Sequence, residues 1–514
     1  MSQYILAIDQ GTTGSTVLVV EIESSTAGSK TGSAAVGRTV GRATTELPQH
    51  FPAPGWVSHD ADEIWASIEI SAREALKSAG VPGEKVAAIG ITNQRETTLV
   101  WDRATSKPID LAIVWQCRRT ADVCNALKED EATSLSVRNK TGLVIDAYFS
   151  ATKIAWLLDH VPGARARAEA GELAFGTIDS FLVSRLTGGR AHVTDVTNAS
   201  RTLLMDLVRG EWDADLARIF RVPLAVLPRI VGSAETVGTT RALSFLPHGV
   251  PIAGIAGDQQ AALFGQACFT DGDAKCTYGT GAFALMNIGD RPILSEHGLV
   301  TTVAWRVGNR TTYALEGSAF IAGAAVQWLR DGLGIIARAS DIEALARRVP
   351  SSDGVAFVPA LAGLGAPHWD QEARGIITGL TRATTAAHLA RATLEGIAFE
   401  VRDLLDAMSS DAGHKLRRLR VDGGAAANDL LMQFQADVAD VVVERPADVE
   451  STGRGAAMLA ALGAGVLRGM EEASGMASVD STFEPRMPPA ERSRHIARWN
   501  DALRRARSSE SSRA

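Results

Sequence analysis

The chain reads as an α/β protein of two or more large domains, and three observations carry that reading. Its 514 residues are too many for one ordinary hydrophobic core. Strand-like apolar runs alternate with helix-period stretches along most of its length, the pattern of helices packed on sheets. Two acid-glycine turns also stand at opposite ends, each directly after an apolar strand. Asp9-Gln10-Gly11-Thr12-Thr13-Gly14-Ser15 follows residues 4–8, and Asp422-Gly423-Gly424-Ala425 follows residues 419–421. Glycines let a turn offer backbone N–H groups to an anion, hydroxyls add donors, and the carboxylate can reach a cation. A single turn of this kind is ordinary loop chemistry. Two of them suggest a nucleotide clasped between two halves, or a duplicated fold.

The elements follow in order. Residues 24–45, rich in Ser, Gly, Thr and Ala, read as an exposed hairpin or insertion without a chemical role. Residues 62–77 have helical periodicity through Ile64, Trp65, Ile68 and Leu76, and 86–91 and 97–101 read as strands. The small, apolar, glycine-punctuated run 251–257 places the domain boundary between Gly254 and Ile255. A second series then begins: strands at 273–277, 283–288 and 312–316, a helix at 321–330, and a long amphipathic helix at 384–408. Residues 455–467 read as a buried helix, too short to span a bilayer. The division is therefore 1–254, 255–500, and a tail at 501–514 read as disordered.

Composition narrows the function. A hydrophobic share of 46% and a charged share of 22% are those of a folded soluble protein. A net charge of −7 leaves no basic footprint for nucleic acid or an anionic membrane. Four cysteines, Cys117, Cys124, Cys268 and Cys276, make no disulfide framework and have no zinc spacing, so reduced thiols in a cytoplasmic protein are expected. The start has no basic region and Asp9 interrupts its apolar run, so no signal peptide is expected.

No Walker A and no complete dinucleotide fingerprint is present. Other motifs carry the chemistry. Asn93-Gln94-Arg95-Glu96-Thr97-Thr98 lies between two strands, where so many polar groups need partners if buried. A surface ion pair of Arg95 with Glu96 and a polyol site fit this spacing equally. Gly257-Asp258-Gln259-Gln260 follows an apolar strand; Asp258 could cap the next helix, serve as a general base, or do both. Thr277-Tyr278-Gly279-Thr280-Gly281 is a third anion-binding candidate. Trp115, Tyr148 and Phe283 are aromatics near polar motifs, each alone more at home in a core or rim than against a ligand.

These residues together resemble the carbohydrate kinase family, which shares the actin and Hsp70 ATPase fold. The resemblance runs from Tyr4 to about Trp499. It rests on the three glycine turns, on Pro54-Gly55-Trp56-Val57-Ser58-His59-Asp60, on Tyr148-Phe149-Ser150-Ala151-Thr152-Lys153, and on residues 193–202. Gln94-Arg95-Glu96-Thr97-Thr98 with Trp115-Gln116-Cys117-Arg118-Arg119-Thr120 is similar to the family's glycerol branch. The resemblance implies two ribonuclease H-like (actin-like ATPase) domains with a deep cleft, the first holding the polyol and the first phosphate turn, the second the nucleotide. It implies a cytoplasmic ATP:glycerol 3-phosphotransferase of glycerol catabolism, making sn-glycerol 3-phosphate, with ATP and Mg²⁺ as cofactors. A homodimer or homotetramer is implied, with no nucleic acid partner and no membrane insertion. Alternatives are a kinase of another small polyol or sugar, or a weakly active nucleotide-binding relative.

By the same resemblance, Arg95, Glu96, Tyr148, Asp258 and Gln259 meet glycerol hydroxyls, while Trp115 and Phe283 pack on its carbons. Asp258 accepts the proton, and Asp9 with Asp258 holds Mg²⁺. Thr12, Thr13, Gly14, Thr16 and Thr280 lie at the phosphates, and Gly323, Gln327, Gly424 and Asn428 around the nucleotide. Two departures stand out. Thr16 replaces the arginine usual in the family, and Arg454 replaces a small or apolar residue, where it could restore the lost charge. Residues 239–250 lack the family's bisphosphate-binding loop and its phosphorylated histidine, so neither control is expected.

Overall fold

The computed structural model describes residues 2–23, 36–448 and 450–508. Two mixed sheets dominate it. In the first, Gly238–Thr239, Pro251–Gly257, Val86–Asn93, Ser2–Gln10, Gly14–Glu23 and Val36–Glu46 lie side by side in that order. Ser2–Gln10 runs antiparallel to Gly14–Glu23 but parallel to Val86–Asn93, which is parallel in turn to Pro251–Gly257. The second sheet orders Val300–Val307, Arg310–Ala319, Ala282–Asn287, Asp273–Tyr278, Arg418–Asp422, Val443–Pro446 and Val479–Phe483. Asp273–Tyr278 is likewise antiparallel to its hairpin partner and parallel to Arg418–Asp422.

The two sheets thus share a plan, an antiparallel hairpin whose first strand also pairs with parallel strands, although in the second sheet Arg310–Ala319 rather than Val300–Val307 lies beside the hairpin. This is the ribonuclease H-like arrangement, twice. The topology corrects which turns correspond. The turn after Gln10 matches the one after Tyr278, because both close the first hairpin. The Asp422-Gly423 turn matches the Gln94 loop, because both follow the first parallel strand.

Local chemistry sets the elements. The helix Ala61–Ala79 begins where the Asp60 carboxylate accepts from the N–H groups of Asp62 and Glu63, and it ends at Gly80 in the left-handed region. The interior strands are apolar on both faces, as parallel strands covered on both sides must be. Pro251–Gly257 is one of these. The boundary expected between Gly254 and Ile255 therefore cuts an inner strand of the first sheet, and the passage between sheets falls after Gly257, before Asp273.

The helix Ser451–Gly463 follows a strand of the second sheet yet packs on Ser2–Gln10, Val86–Asn93 and Pro251–Gly257 of the first. It also lies against the helix Asp258–Gly265 so closely that a Cβ on Gly455 would collide with the Ala261 carbonyl. Ile5, Ala7, Leu18, Ala253 and Ala456 through Ala461 form one buried cluster there.

The tail differs from expectation. Pro489–Ala506 is a helix whose Trp499, Ala502, Leu503 and Ala506 are buried at helical spacing. The Trp499 ring stacks on Phe399 at 5.2 Å, and its indole N–H donates to Asp403 at 2.8 Å. Residues 509–514 lie outside the described residues. So does 24–35 of the expected insertion, while Val36–Glu46 is the outer strand of the first sheet. No helix among the described residues is long and apolar enough to cross a membrane.

Candidate active site

Parallel strands of each sheet deliver their C-terminal ends to one region, as expected for α/β sites. The strand Val86–Asn93 ends in Gln94-Arg95-Glu96, and Glu96 has φ of 58°. The Glu96 carbonyl is held by the Ser150 hydroxyl at 3.1 Å and the Lys153 ammonium at 3.2 Å, so side chains of a neighbouring helix fix a strained backbone. Burial pulls the Lys153 ammonium down to about 8.

The Arg95 and Glu96 side chains are only 2% and 1% exposed, which rules out the surface ion pair. They belong to a ring of alternating charge. The Arg95 Nε lies 3.2 Å from Asp258 Oδ1, and its terminal nitrogens donate to both oxygens of Glu316 at 2.6 and 2.8 Å. Arg201 donates to Glu316 at 3.2 Å and to Glu96 at 2.6 Å. Burial opposes the Glu316 charge, but Arg201 and Arg95 outweigh it and hold the carboxyl down to about 2. Burial raises Glu96 against the pull of the same two arginines. Asp258 is the accessible member, with a third of its side chain exposed. It opens the helix Asp258–Gly265, where its Oδ1 accepts from the next N–H at 2.7 Å rather than capping from the preceding position.

Gln259 turns its carbonyl oxygen to Lys275, a fully buried lysine that sequence reasoning left unassigned. Burial lowers the Lys275 ammonium, while Asp422, Asp258 and Glu316 draw it up. The aromatics gather in part. Trp115 and Tyr148 meet edge to face at 5.5 Å, and Arg201 lies over Tyr148 at 5.7 Å. Phe283 is half-buried on Ala282–Asn287, in register with Thr277 and Ser318.

The three glycine turns sit at strand ends. Gly11 donates to the Gly14 carbonyl at 2.9 Å, Thr13 is exposed at the tip, and the Thr12 hydroxyl accepts the Trp115 indole N–H at 2.9 Å. Thr16 is the register partner of Asp9, and its hydroxyl pairs with Thr44 at 2.9 Å. The backbone carbonyls of Gly279 and Thr280 receive the N–H groups of Gly323 and Ala324, which seats the helix Gly323–Asp331 on that turn, with exposed Gln327 one helical turn along. Gly423 has φ of 86°, and a Cβ there would lie 2.5 Å from the Tyr278 carbonyl, so only glycine lets these two turns adjoin. Gly424 faces open space, and Asn428 caps Asp429–Ala439 through Leu431.

Burial first, then Asp258 and Glu450, push the Asp9 carboxyl up to about 8. A cation beside Asp9 would relieve that repulsion. Among the described residues no group of three or more His, Cys, Asp or Glu could hold a metal alone. Mg²⁺ fits such a site, because it keeps its waters and takes one or two carboxylates plus phosphates. Arg454 is engaged in part by backbone carbonyls. It is buried, donating to the carbonyls of Gly265 at 2.9 Å and Asp448 at 3.1 Å.

Two related sheets thus meet at a charged, carboxylate-bearing site with glycine turns, and the family matches make the chain a phosphotransferase of two mixed α/β domains. Residues 4–265 match the N-terminal domain of the FGGY family of carbohydrate kinases and 274–464 its C-terminal domain, so the chain belongs to that family. It is 57% identical over 507 residues to the glycerol kinase of Myxococcus xanthus, covering 98% of this chain and 99% of that one. It is 55% identical over 505 residues to that of Deinococcus radiodurans, covering 98% of each. Among solved structures it is similar to Plasmodium falciparum glycerol kinase with ADP, at a TM-score of 0.90 and 35% identity over 98% of both chains. Gluconate kinase from Lactobacillus acidophilus, at a TM-score of 0.84 and 21% identity over 98% of this chain and 97% of its own, shares the fold.

Proposed function

We propose that the chain is a glycerol kinase, transferring the γ-phosphoryl group of Mg-ATP to a primary hydroxyl of glycerol to give sn-glycerol 3-phosphate. The observation that carries this is the accessible Asp258 carboxylate beside the buried Arg95–Glu96 pair. A three-carbon polyol has little apolar area, so recognition must come from hydrogen bonds to ionised groups. Such a site rejects a substrate lacking a hydroxyl, which leaves a buried charge unpaired.

In this reading Arg95, Glu96, Tyr148 and Gln259 orient the hydroxyls, and Trp115 with Phe283 covers the carbons. Asp258 accepts the proton of the attacking hydroxyl. Thr12, Thr13, Gly14, Thr16 and Thr280 line the phosphates, while Gly323, Gln327, Gly424 and Asn428 surround the nucleoside. Asp9 and Asp258 would hold Mg²⁺, which neutralises phosphate charge when bound. Phosphoryl transfer asks mostly for positioning and charge stabilisation, which turns and fixed side chains supply. The family resemblance further supports a cytoplasmic homodimer or homotetramer, a state that light scattering reads directly.

The test is ADP release from Mg-ATP with glycerol, dihydroxyacetone, erythritol, xylulose or no polyol. Glycerol-dependent release, abolished by Asp258→Asn, is the expected result. Turnover with a larger polyol but not with glycerol would reassign the substrate.

A further inference from the structure

Glu316 comes from the second sheet, on Arg310–Ala319, yet it ends among residues of the first half. Its two oxygens face Arg95 Nη1 and Nη2 at 2.6 and 2.8 Å, and one of them also accepts from Arg201 at 3.2 Å. An arginine has five N–H donors: one on Nε and two on each terminal nitrogen. Arg95 Nη1 gives its second hydrogen to Gln260 Oε1 at 3.2 Å, so Nη1 is fully committed. Gln260 is itself fixed, its amide donating to Thr302 and to the Val303 carbonyl, both at 3.2 Å.

What remains of Arg95 is the fork made by Nε and the second hydrogen of Nη2. That edge is flanked by two carboxylates, Asp258 Oδ1 3.2 Å and Glu96 Oε1 3.9 Å from Nε. Glu316 and Gln260 therefore determine which edge of the guanidinium a ligand can use. Arg201 does the same for the opposite charge, holding Glu96 through Nε at 2.6 Å while its Nη2 donates to Glu316 at 3.2 Å. A buried carboxylate between two guanidiniums gives up solvation for both, so stability alone does not explain it.

We infer that Glu316, with Arg201, is a positioning residue for polyol binding: it holds the end of the Arg95 guanidinium so that the Nε edge is presented to a hydroxyl beside Asp258. This rests on the glycerol kinase reading and adds residues to which that reading gives no role. Without the Glu316 charge, Arg95 keeps its bond to Gln260 but loses the clamp on its end, so the guanidinium can rotate and the hydroxyl loses its donor. The nucleotide turns use none of these contacts, so the effect falls on the polyol.

The experiment is steady-state kinetics of the full chain with each substrate varied in turn, for wild type, Glu316→Gln and Glu316→Asp. In Glu316→Gln the glycerol KM is expected to rise by about tenfold or more while the KM for Mg-ATP stays within about twofold. Glu316→Asp keeps the charge but shortens the reach, so its glycerol KM falls between the two. If Glu316→Gln does not fold, Glu316→Asp decides alone by the same split between substrates. A glycerol KM unchanged in a folded variant overturns the inference, as does an equal rise in both KM values, the sign of a merely structural role. A wild type that ignores glycerol fails at an earlier point, overturning the functional reading and this inference with it.

Discussion

Trp115 donates its indole N–H to the Thr12 hydroxyl across 2.9 Å, which ties the residue we place against the polyol carbons to the first phosphate turn. The same ring meets Tyr148 edge to face. A shift of the Trp115 ring is therefore felt directly at Thr12.

Trp115→Phe keeps an aromatic face but removes that donor. The lost hydrogen bond, worth about 1 kcal/mol, should lower kcat/KM for Mg-ATP by about fivefold. Initial rates at saturating glycerol read it. A variant with wild-type kinetics for the nucleotide would show that the bond only braces the fold.

Asp258→Asn removes the proton acceptor while keeping the shape. Loss of a general base lowers kcat by about 10²- to 10⁴-fold. Its binding of a non-hydrolysable nucleotide, followed by calorimetry, should persist, which separates lost chemistry from lost structure.

Glu400 tests the second domain. Its Oε1 is buried without a partner among the described residues, and burial, with Asp403 beside it, pushes the carboxyl from 4.5 up to about 8. The folded value lies above the unfolded one, so the stability it contributes is fully present below about pH 4.5 and lost as pH rises through 8. At about 1.4 kcal/mol per unit the span is at most about 5 kcal/mol. Glu400→Gln should melt well above wild type at pH 8 and close to it at pH 5. Equal differences at the two pH values would mean that the carboxyl titrates normally.

Leu503→Ala checks the corrected tail. Leu503 is buried in the helix Pro489–Ala506, so truncation should cost about 2–4 kcal/mol in urea unfolding. A disordered tail would tolerate it without change.

The site was legible where chemistry clusters along the chain. Arg95 with Glu96, Asp258 and the glycine turns each stand beside polar neighbours or glycine, which marks them. Glu316 and Lys275 carry no such mark. Glu316 is a lone charge inside the apolar run Tyr313-Ala314-Leu315-Glu316 whose partners come from distant segments, while Lys275 shares its buried strand with Asp273 and donates to Gln259 and Thr277. The signal was available: a single charge on a strand otherwise buried needs a buried counter-charge. Arg201 stood inside a recognised motif, but nothing local distinguishes it from a surface arginine.

The fold was legible as alternation and was misread at its edges. Residues 251–257 invite a domain boundary because small residues and glycine dominate, yet the helix Ser451–Gly463 packs closely over Gly90 and Gly254 and so demands small residues there. The tail misleads in the opposite way: arginines dominate its composition, while the spacing of Trp499, Ala502, Leu503 and Ala506 carries the structure.

That crossing helix has a consequence for the order in which the protein can be made. The face of the first sheet that it covers is complete in sequence by residue 257, but its cover is not synthesised until residues 451–463. During the intervening synthesis a growing chain would carry Ile5, Leu18 and Ala253 on a bare apolar surface, of the kind that draws aggregation or a chaperone. The first half is then not a self-sufficient folding unit, and expressed alone it should be insoluble unless residues 451–463 are supplied with it.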